Sequence, residues 1–391
     1  MLMRSVLIGL LVAVAALAVG AQPVLAAAST GKGTAATGGT ASAAPRTAAP
    51  APTGKAPLVP TATAGKALPS STGAVGVSSP TGSRGPAALT GSPAGAAPEA
   101  APTQRISAIQ SAILGLIQGL TEYLPVSSTG HLILANYAMG LSHFSDRVGP
   151  LGRVMEDNEA VDDFDIILHF GTWLAVLGLY RGRVWQMMRG IAGKDPSGAW
   201  LLLMLAVAFI PAAIAGLAGK RWIQENLYNP VTVATALAVG GALMIVVEIL
   251  WRKYRRPDRI TDITRMQLWQ AAAIGLAQVL ALWPGTSRSM ITILAALVVG
   301  IDLVAAAEFS FLLALPTLGA ATAFTALKHG GDMMRTVSPD AMAIGLAVTA
   351  IVAFFAMKGL IKWLTGHGLA PFGVYRIALA AAVYVYFFVI S

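Results

Sequence analysis

Cysteine is missing from all 391 residues. That excludes disulfides, thiolate nucleophiles and thiolate-held metals. Charge is scarce as well, at 12% Asp, Glu, Lys and Arg, where a soluble domain carries about 25%. Together with 55% hydrophobic residues and a mean hydropathy of +0.68, this excludes an ordinary soluble domain and points to a polytopic membrane protein. No acidic residue precedes Glu99, whereas Arg4, Lys32, Arg46, Lys55, Lys66 and Arg84 do, so part of the net charge of +9 belongs to the leading segment. The remaining excess lies in loops between apolar runs. No basic face with interleaved aromatics is present, and no nucleic acid is expected as a partner.

The first residues carry no fold signal. Residues 1–27 read as a signal peptide or an uncleaved anchor: Arg4 precedes an apolar core from Ser5 to Gly20, then a small-residue site follows near Val24-Leu25-Ala26. Residues 28–103 are Ala, Pro, Thr, Gly and Ser with scattered cations. Without apolar periodicity they cannot offset chain entropy, and a disordered linker is expected.

Apolar runs long enough for a bilayer begin after Gln104. The expected fold is an all-α polytopic membrane protein made of two inverted-topology repeats, residues 104–265 and 266–391. Each repeat is a re-entrant helix hairpin followed by three transmembrane helices. In the first, Ser107–Tyr123 breaks at Pro125 and resumes over Ser128–Leu141; spans follow near Phe164–Tyr180, Ala199–Ala218 and Pro230–Trp251. In the second, Gln267–Trp283 breaks at Pro284-Gly285 and resumes through Ile301, with spans near Leu303–Leu327, Ala341–Trp363 and Pro371–Ile390. The segment around Gly115 and Gln118 aligns with that around Gly275 and Gln278; the two proline breaks align after a one-residue shift. Short Gly/Pro-interrupted segments at matching places in two halves are the best sequence pointer to a membrane binding site. Three crossings per half invert the second repeat, and a ten-span variant in which the hairpins cross fully keeps that parity. The basic loops Arg181–Lys194 and Arg252–Arg265 share one face and are assigned to the cytoplasm. The acid-rich loop with Asp146, Glu156, Asp157, Glu159, Asp162 and Asp163 lies outside; Lys220-Arg221, assigned to the same side, runs against this scheme.

Backbone that leaves the helix at membrane depth survives only when buried in protein or lining a cavity. An arginine or carboxylate there marks a functional site. Gln118 and Glu122 stand one helical turn apart and project from one face. Past Pro125, Ser127, Ser128 and Thr129 hold capping positions and His131 sits in the first turn of the half-helix. The second break has Thr286, Ser287 and Ser289 as caps, Arg288 as a planar fork suited to phosphate, and Thr292 one turn on. Helix starts with free N–H groups favour anions. Brought together, the clusters offer a phosphate clamp (Ser127, Ser287, Arg288, Ser289, Thr292), a hydroxyl nucleophile (Ser128), an acid/base (Glu122 or His131) and a metal-binding carboxylate. Gly115 and Gly119 read as close-packing residues. His169 and Glu308 fit hydrogen bonding or a site role equally, and Glu248 reads as a snorkelling side chain at a span end.

At these residues the chain resembles a known family. The stretch Gly-Leu-Ile-Gln118-Gly-Leu-Thr-Glu122-Tyr-Leu-Pro-Val-Ser-Ser-Thr-Gly-His131, with Leu-Trp-Pro-Gly-Thr-Ser-Arg288-Ser and Ala307-Glu308-Phe-Ser-Phe, is similar to the signatures of the bacterial undecaprenyl-diphosphate phosphatases of the bacitracin-resistance type. The resemblance covers about Gln104 to Ser391. It implies a multi-pass enzyme of the bacterial inner membrane that removes one phosphate from a C55 polyprenyl diphosphate and so recycles the lipid carrier of cell-wall synthesis. It also implies a divalent cation, Mg or Ca, held by Glu122 with Gln118, and functional positions at Gln118, Glu122, Ser128, His131, Ser287, Arg288 and Thr292. The implied partners are the polyprenyl diphosphate and the bilayer, with a homo-oligomer left open. Two positions depart from the family pattern: Gln118 stands where Glu is frequent, and Met290-Ile291 replace Gly-Ala, tightening the pocket. Attack by Ser128 and attack by water both fit. The alternative is a transporter or flippase of polyprenyl phosphate carriers. Pure transport needs no nucleophile with a base, and the Ser128/Glu122/His131 set favours the enzyme.

The composition before Gln104 generates a direct expectation. A chain starting near Thr103 behind a substitute signal should insert and keep its activity; normal insertion with lost activity would show that the leading segment contributes to the site.

Overall fold

The computed structural model describes residues 106–149, 152–156, 159–254 and 258–386. The signal or anchor expected at 1–27, the linker expected at 28–103 and the end of the final apolar run lie outside the described residues.

Eleven helices carry the described fold. The first broken pair is α1 (Ala108–Thr121) and α2 (Ser128–Ala138). A two-stranded antiparallel hairpin follows, β1 (His143–Gly149) and β2 (Gly152–Glu156), pairing His143 with Glu156 and Gly149 with Gly152. The acid-rich loop is thus partly strand, a departure from the all-helical expectation. Then come α3 (Glu159–Leu179), α4 (Arg181–Ile191), α5 (Pro196–Leu227) and α6 (Pro230–Lys253). The second broken pair is α7 (Leu268–Gln278) and α8 (Arg288–Val298), followed by α9 (Leu303–Thr336), α10 (Pro339–Leu364) and α11 (Ala370–Val385). Local chemistry sets the starts. Ser107 and Gln110 form a capping box on α1, Asp195 and Asn229 cap α5 and α6 ahead of a proline in the first turn, and Ser338 does the same for α10.

Among the described residues, four helices are long and apolar enough to cross a membrane: α5, α6, α9 and α10. A fifth span is counted when α3 and α4, bent by 84° at Tyr180, are taken as one. Outward faces are apolar, with Leu217, Leu276, Leu327 and Phe355 exposed, as expected of surface meeting lipid rather than water. The helix α8 is the centre: every residue from Ser289 to Val298 is buried, and Phe309, Phe311 and Leu313 of α9 close over it.

Packing relates the two halves. α1 packs on α10 while its counterpart α7 packs on α5; α3 meets α9 and α6 meets α11. The close contacts depend on glycine. A Cβ on Gly115 would stand 2.6 Å from Gly345 O of α10, and one on Gly275 would stand 2.6 Å from Ala208 O of α5. Both lie inside any real contact distance, so each glycine lets two helix backbones touch, the small-residue packing of membrane bundles.

Glu248 does not snorkel. It accepts the N–H groups of Leu369 and Ala370, capping the start of α11, and Arg252 Nε donates to it at 2.7 Å. Glu308 is placed in an ion pair with Arg183 of α4 at 2.8 Å, and Asp262 joins the same guanidinium at 3.3 Å.

The glycine contact predicts a stability loss. Gly275→Val should destabilise the detergent-solubilised protein by about 1–3 kcal/mol through overpacking. Gly330→Ala, with nothing within 4 Å of the added methyl, should not. Thermal unfolding of the two variants checks this, and equal melting would refute the backbone contact.

Candidate active site

The two helix breaks have one backbone design. α1 ends at Thr121 with Glu122 as its C-cap, and Pro125 cannot continue a helix. The chain turns to Ser127, whose Oγ accepts the Gly130 N–H and starts α2. In the second break the last turn of α7 tightens into a 3-10 turn over Val279–Leu282, Pro284-Gly285 makes the turn, and Ser287 Oγ accepts the Met290 N–H to start α8. Ser127 (φ 75°) and Ser287 (φ 71°) are the two non-glycine residues with positive φ among those described. Such backbone costs on the order of 1–3 kcal/mol and concentrates at functional sites. One constant sequence offset relates Gly115 to Gly275, Gln118 to Gln278, Ser127 to Ser287 and positive-φ Gly140 to Gly300. The one-residue shift suggested by the prolines is not needed, because Gly285 rather than Pro284 is the counterpart of Pro125. Ser128 and Arg288 therefore occupy equivalent first positions of the two half-helices.

Glu122 is where the halves meet. It is 6% exposed. Its Oε2 accepts Ser128 Oγ at 2.7 Å and Gln118 Nε2 at 3.2 Å, and His169 Nε2 of α3 lies 3.4 Å away. Its Oε1 accepts Arg288 Nη2 at 3.2 Å. Arg288 Nη1 donates to Ser310 O at 2.9 Å, the guanidinium lies 5.8 Å over the Tyr123 ring, and Nε is buried with no partner. A buried charge is retained when paired and hydrogen-bonded, and here each charge supplies the other's partner. Glu122, Ser127, Ser128, His169, Ser287 and Arg288 line one cavity of about 120 Å³. The starts of α2 and α8 supply a positive dipole end at its wall.

Of the residues expected in the clamp, Ser127, Ser287 and Arg288 reach the cavity wall. Ser289 and Thr292 stand behind it. Ser289 Oγ donates to Leu124 O at 3.2 Å, tying one break to the other. Thr292 Oγ1 lies 2.8 Å from Arg288 O and 2.7 Å from Ser310 Oγ, and so supports the residues that hold Arg288. Both hydroxyls satisfy buried polar groups there, and Ser289 Oγ lies 3.1 Å from Ser287 Oγ of the wall.

His131 is not brought to Glu122. Its Nδ1 faces Ser127 O at 2.7 Å and its Nε2 faces Tyr375 Oη at 2.6 Å, with the rings stacked 5.7 Å apart. A carbonyl only accepts, so Nδ1 carries the proton and Nε2 accepts from the Tyr375 hydroxyl. The half-helix turns position 131 toward α11. The imidazole at the carboxylate is His169, whose Nδ1 donates to Asp165 O at 2.9 Å and leaves Nε2 facing Glu122. Sequence reasoning left His169 open, since an ionisable residue in a span marks a site without saying which one. It passed over Arg376 entirely, a lone cation in the last apolar run that the structure buries completely against backbone carbonyls. The same signal would have found it.

The donor set would suit a hard cation in one particular mode only. Among the described residues no three His, Cys, Asp or Glu side chains converge on a point, so a cage made wholly of such side chains is not present among them. Gln118 Oε1 is buried beside Glu122 without a partner, an acceptor suited to a cation or to water. One carboxylate and one amide oxygen match the Mg²⁺ mode in which substrate phosphates and waters complete the octahedron.

Comparisons with known proteins identify relatives of this chain. The family model described as Bacitracin resistance protein BacA matches residues 111–382, a range that contains both breaks and Arg376. The Undecaprenyl-diphosphatase of Sorangium cellulosum is 45% identical over 278 residues, covering 70% of this chain and 84% of that protein. Undecaprenyl-diphosphatase 2 of Rhodospirillum rubrum is 39% identical over 283 residues, covering 71% and 94%. The Undecaprenyl-diphosphatase of a Thermoanaerobacter species is 36% identical over 274 residues, covering 69% and 93%. With its two strained serine caps and the Glu122–Arg288 pair inside the matched range, this chain belongs to the bacitracin resistance protein BacA family.

Proposed function

We propose that this membrane protein hydrolyses undecaprenyl diphosphate to undecaprenyl phosphate and inorganic phosphate, recycling the lipid carrier of cell-wall synthesis. The observation that carries this reading is the meeting of Ser128, Glu122, His169 and Arg288 in one polar cavity within an apolar helical bundle. A diphosphate headgroup needs a polar pocket and its prenyl tail needs lipid, and this arrangement offers both.

Catalysis of phosphoryl transfer is mainly positioning and charge stabilisation. Arg288 gives one nitrogen to Glu122 and one to Ser310 O, and it lines the cavity where a phosphate oxygen would sit. The N–H groups at the starts of α2 and α8 face the same anion. Ser128 Oγ attacks the terminal phosphorus as its proton passes to Glu122 Oε2. The bridging P–O bond breaks and undecaprenyl phosphate leaves; water then attacks phosphoserine and releases phosphate. His169 Nε2, beside the same carboxylate oxygen, exchanges the proton with Glu122 during the two steps. A divalent cation, Mg²⁺ or Ca²⁺, held by Glu122 and Gln118, would offset diphosphate charge.

The finer architecture belongs to the same proposal. The halves are inverted repeats, each a re-entrant hairpin and three spans. Support comes from the constant offset between the breaks and from the exchanged packing of α1 on α10 and α7 on α5. The basic loops at 181–194 and 252–265 face the cytoplasm of the bacterial inner membrane by the positive-inside rule. The cavity opens to the outer side, where the acid-rich segment lies.

Phosphate release from undecaprenyl diphosphate by the detergent-purified protein tests the reading; no release with divalent cation present would refute it. Arg288→Lys keeps charge and loses the fork, and should lower kcat at least about tenfold. Near-normal turnover would exclude the clamp. Ser128→Ala and Arg288→Ala should be strongly non-additive, since residues acting as one unit cannot be lost twice; multiplying losses would mean two separate sites. The two imidazoles separate cleanly as well. His169→Asn should lower kcat by about 10²-fold or more, the low end for a lost acid/base. His131→Asn should act less on kcat, because its ring nitrogens meet Ser127 O and Tyr375 Oη rather than Glu122. The reverse order would return the acid/base role to His131.

A further inference from the structure

Arg376 is the largest side chain buried completely in the described structure. Among the described residues no carboxylate pairs with it. Its guanidinium instead donates to four backbone carbonyls: Gly285 at 2.8 Å, Ala236 at 3.1 Å, Pro125 at 3.4 Å and Leu237 at 3.4 Å. Two of these carbonyls belong to α6, and the other two belong to the two helix breaks. Pro125 and Gly285 are counterparts under the offset that relates the halves, and each lies two residues before a strained serine, Ser127 or Ser287. One side chain from α11 thus holds the same point of both breaks.

The chemistry explains why an arginine stands there. A helix break at membrane depth frees carbonyls that must find donors within the protein. Arginine offers five donors in a fixed planar fork, so it can serve carbonyls from three segments at once. An ammonium, with three donors on a flexible stem, cannot keep the same spread. Fixing Pro125 O and Gly285 O fixes the turns whose next residues are Ser127-Ser128 and Ser287-Arg288. Those turns set the separation of the nucleophile from the phosphate clamp.

We infer that Arg376 is a positioning residue for phosphoryl transfer, which holds the two half-helix starts in register so that Ser128 and Arg288 address one phosphate. Among the described residues of the cavity wall, its guanidinium hydrogen-bonds Gly285. Its effect is on geometry, where displacement by about 1 Å can cost on the order of 10²-fold in rate. The inference rests on the hydrolytic reading above, and phosphate release by the unaltered protein is measured first. Absence of release there counts against that reading and not against Arg376.

The test compares R376K and R376M with a control, Gly190→Ala. The added methyl of the control would meet the backbone of Gly198 and Ala199 where α4 meets α5, away from both breaks. Each purified variant is assayed for kcat, KM and thermal unfolding. R376M should lose at least about tenfold in kcat with KM within about threefold, and R376K should recover part of it. Gly190→Ala, with an equal or larger fall in Tm, should keep kcat within about twofold. Three results would overturn the inference: folded Arg376 variants with near-normal kcat, a control whose kcat falls in step with its Tm, or failure of both Arg376 variants to fold. The last would assign Arg376 to the core alone.

Discussion

The structure depends on one constraint: two helices stop in the middle of an apolar bundle, and their freed backbone groups must be satisfied without water. Several unusual features answer that demand. Ser127 and Ser287 adopt positive φ so that their hydroxyls can reach the N–H groups of Gly130 and Met290. Ser289 crosses from the second break to Leu124 O in the first. Arg376 enters from α11 to take the carbonyls of Pro125 and Gly285. The breaks are therefore stabilised by each other as much as by their own caps, which places their two polar tips side by side.

That juxtaposition creates the electrostatics of the site. A carboxylate and a guanidinium from opposite halves are each too costly to bury alone. Paired at 3.2 Å, Glu122 and Arg288 become tolerable, and the pair draws Ser128, Gln118 and His169 around it. The ion pair stabilises the junction of the two breaks, and the helix starts behind it add positive potential.

Much of this was legible in the chain. Absence of cysteine and scarcity of charge set the class, and proline with serine and threonine inside apolar runs located both breaks. Gln118 and Glu122 at helical spacing share one face, as the structure places them. The glycines at 115 and 119 read as close-packing positions, and both lie against the backbone of α10. Less was legible in the acid-rich segment, part of which forms a hairpin, and at Glu248, where a span-end acid caps α11.

The sequence by itself determined what periodicity and turn chemistry encode: which segments are apolar helices, where they stop, and which polar groups sit at each stop. Those are local properties, fixed by a few neighbouring residues. Only the tertiary structure decided which polar groups meet. His131 lies in the signature stretch beside Ser128, yet the rotation of α2 turns it to Tyr375, while His169 arrives at Glu122 from another span. Arg376 stands far from both breaks in the chain, and it binds each of them because α11 packs on α6. Neither outcome follows from local rules. Which face of a helix looks inward depends on what packs against it, and the partner of a buried charge is chosen by the fold that removes it from water.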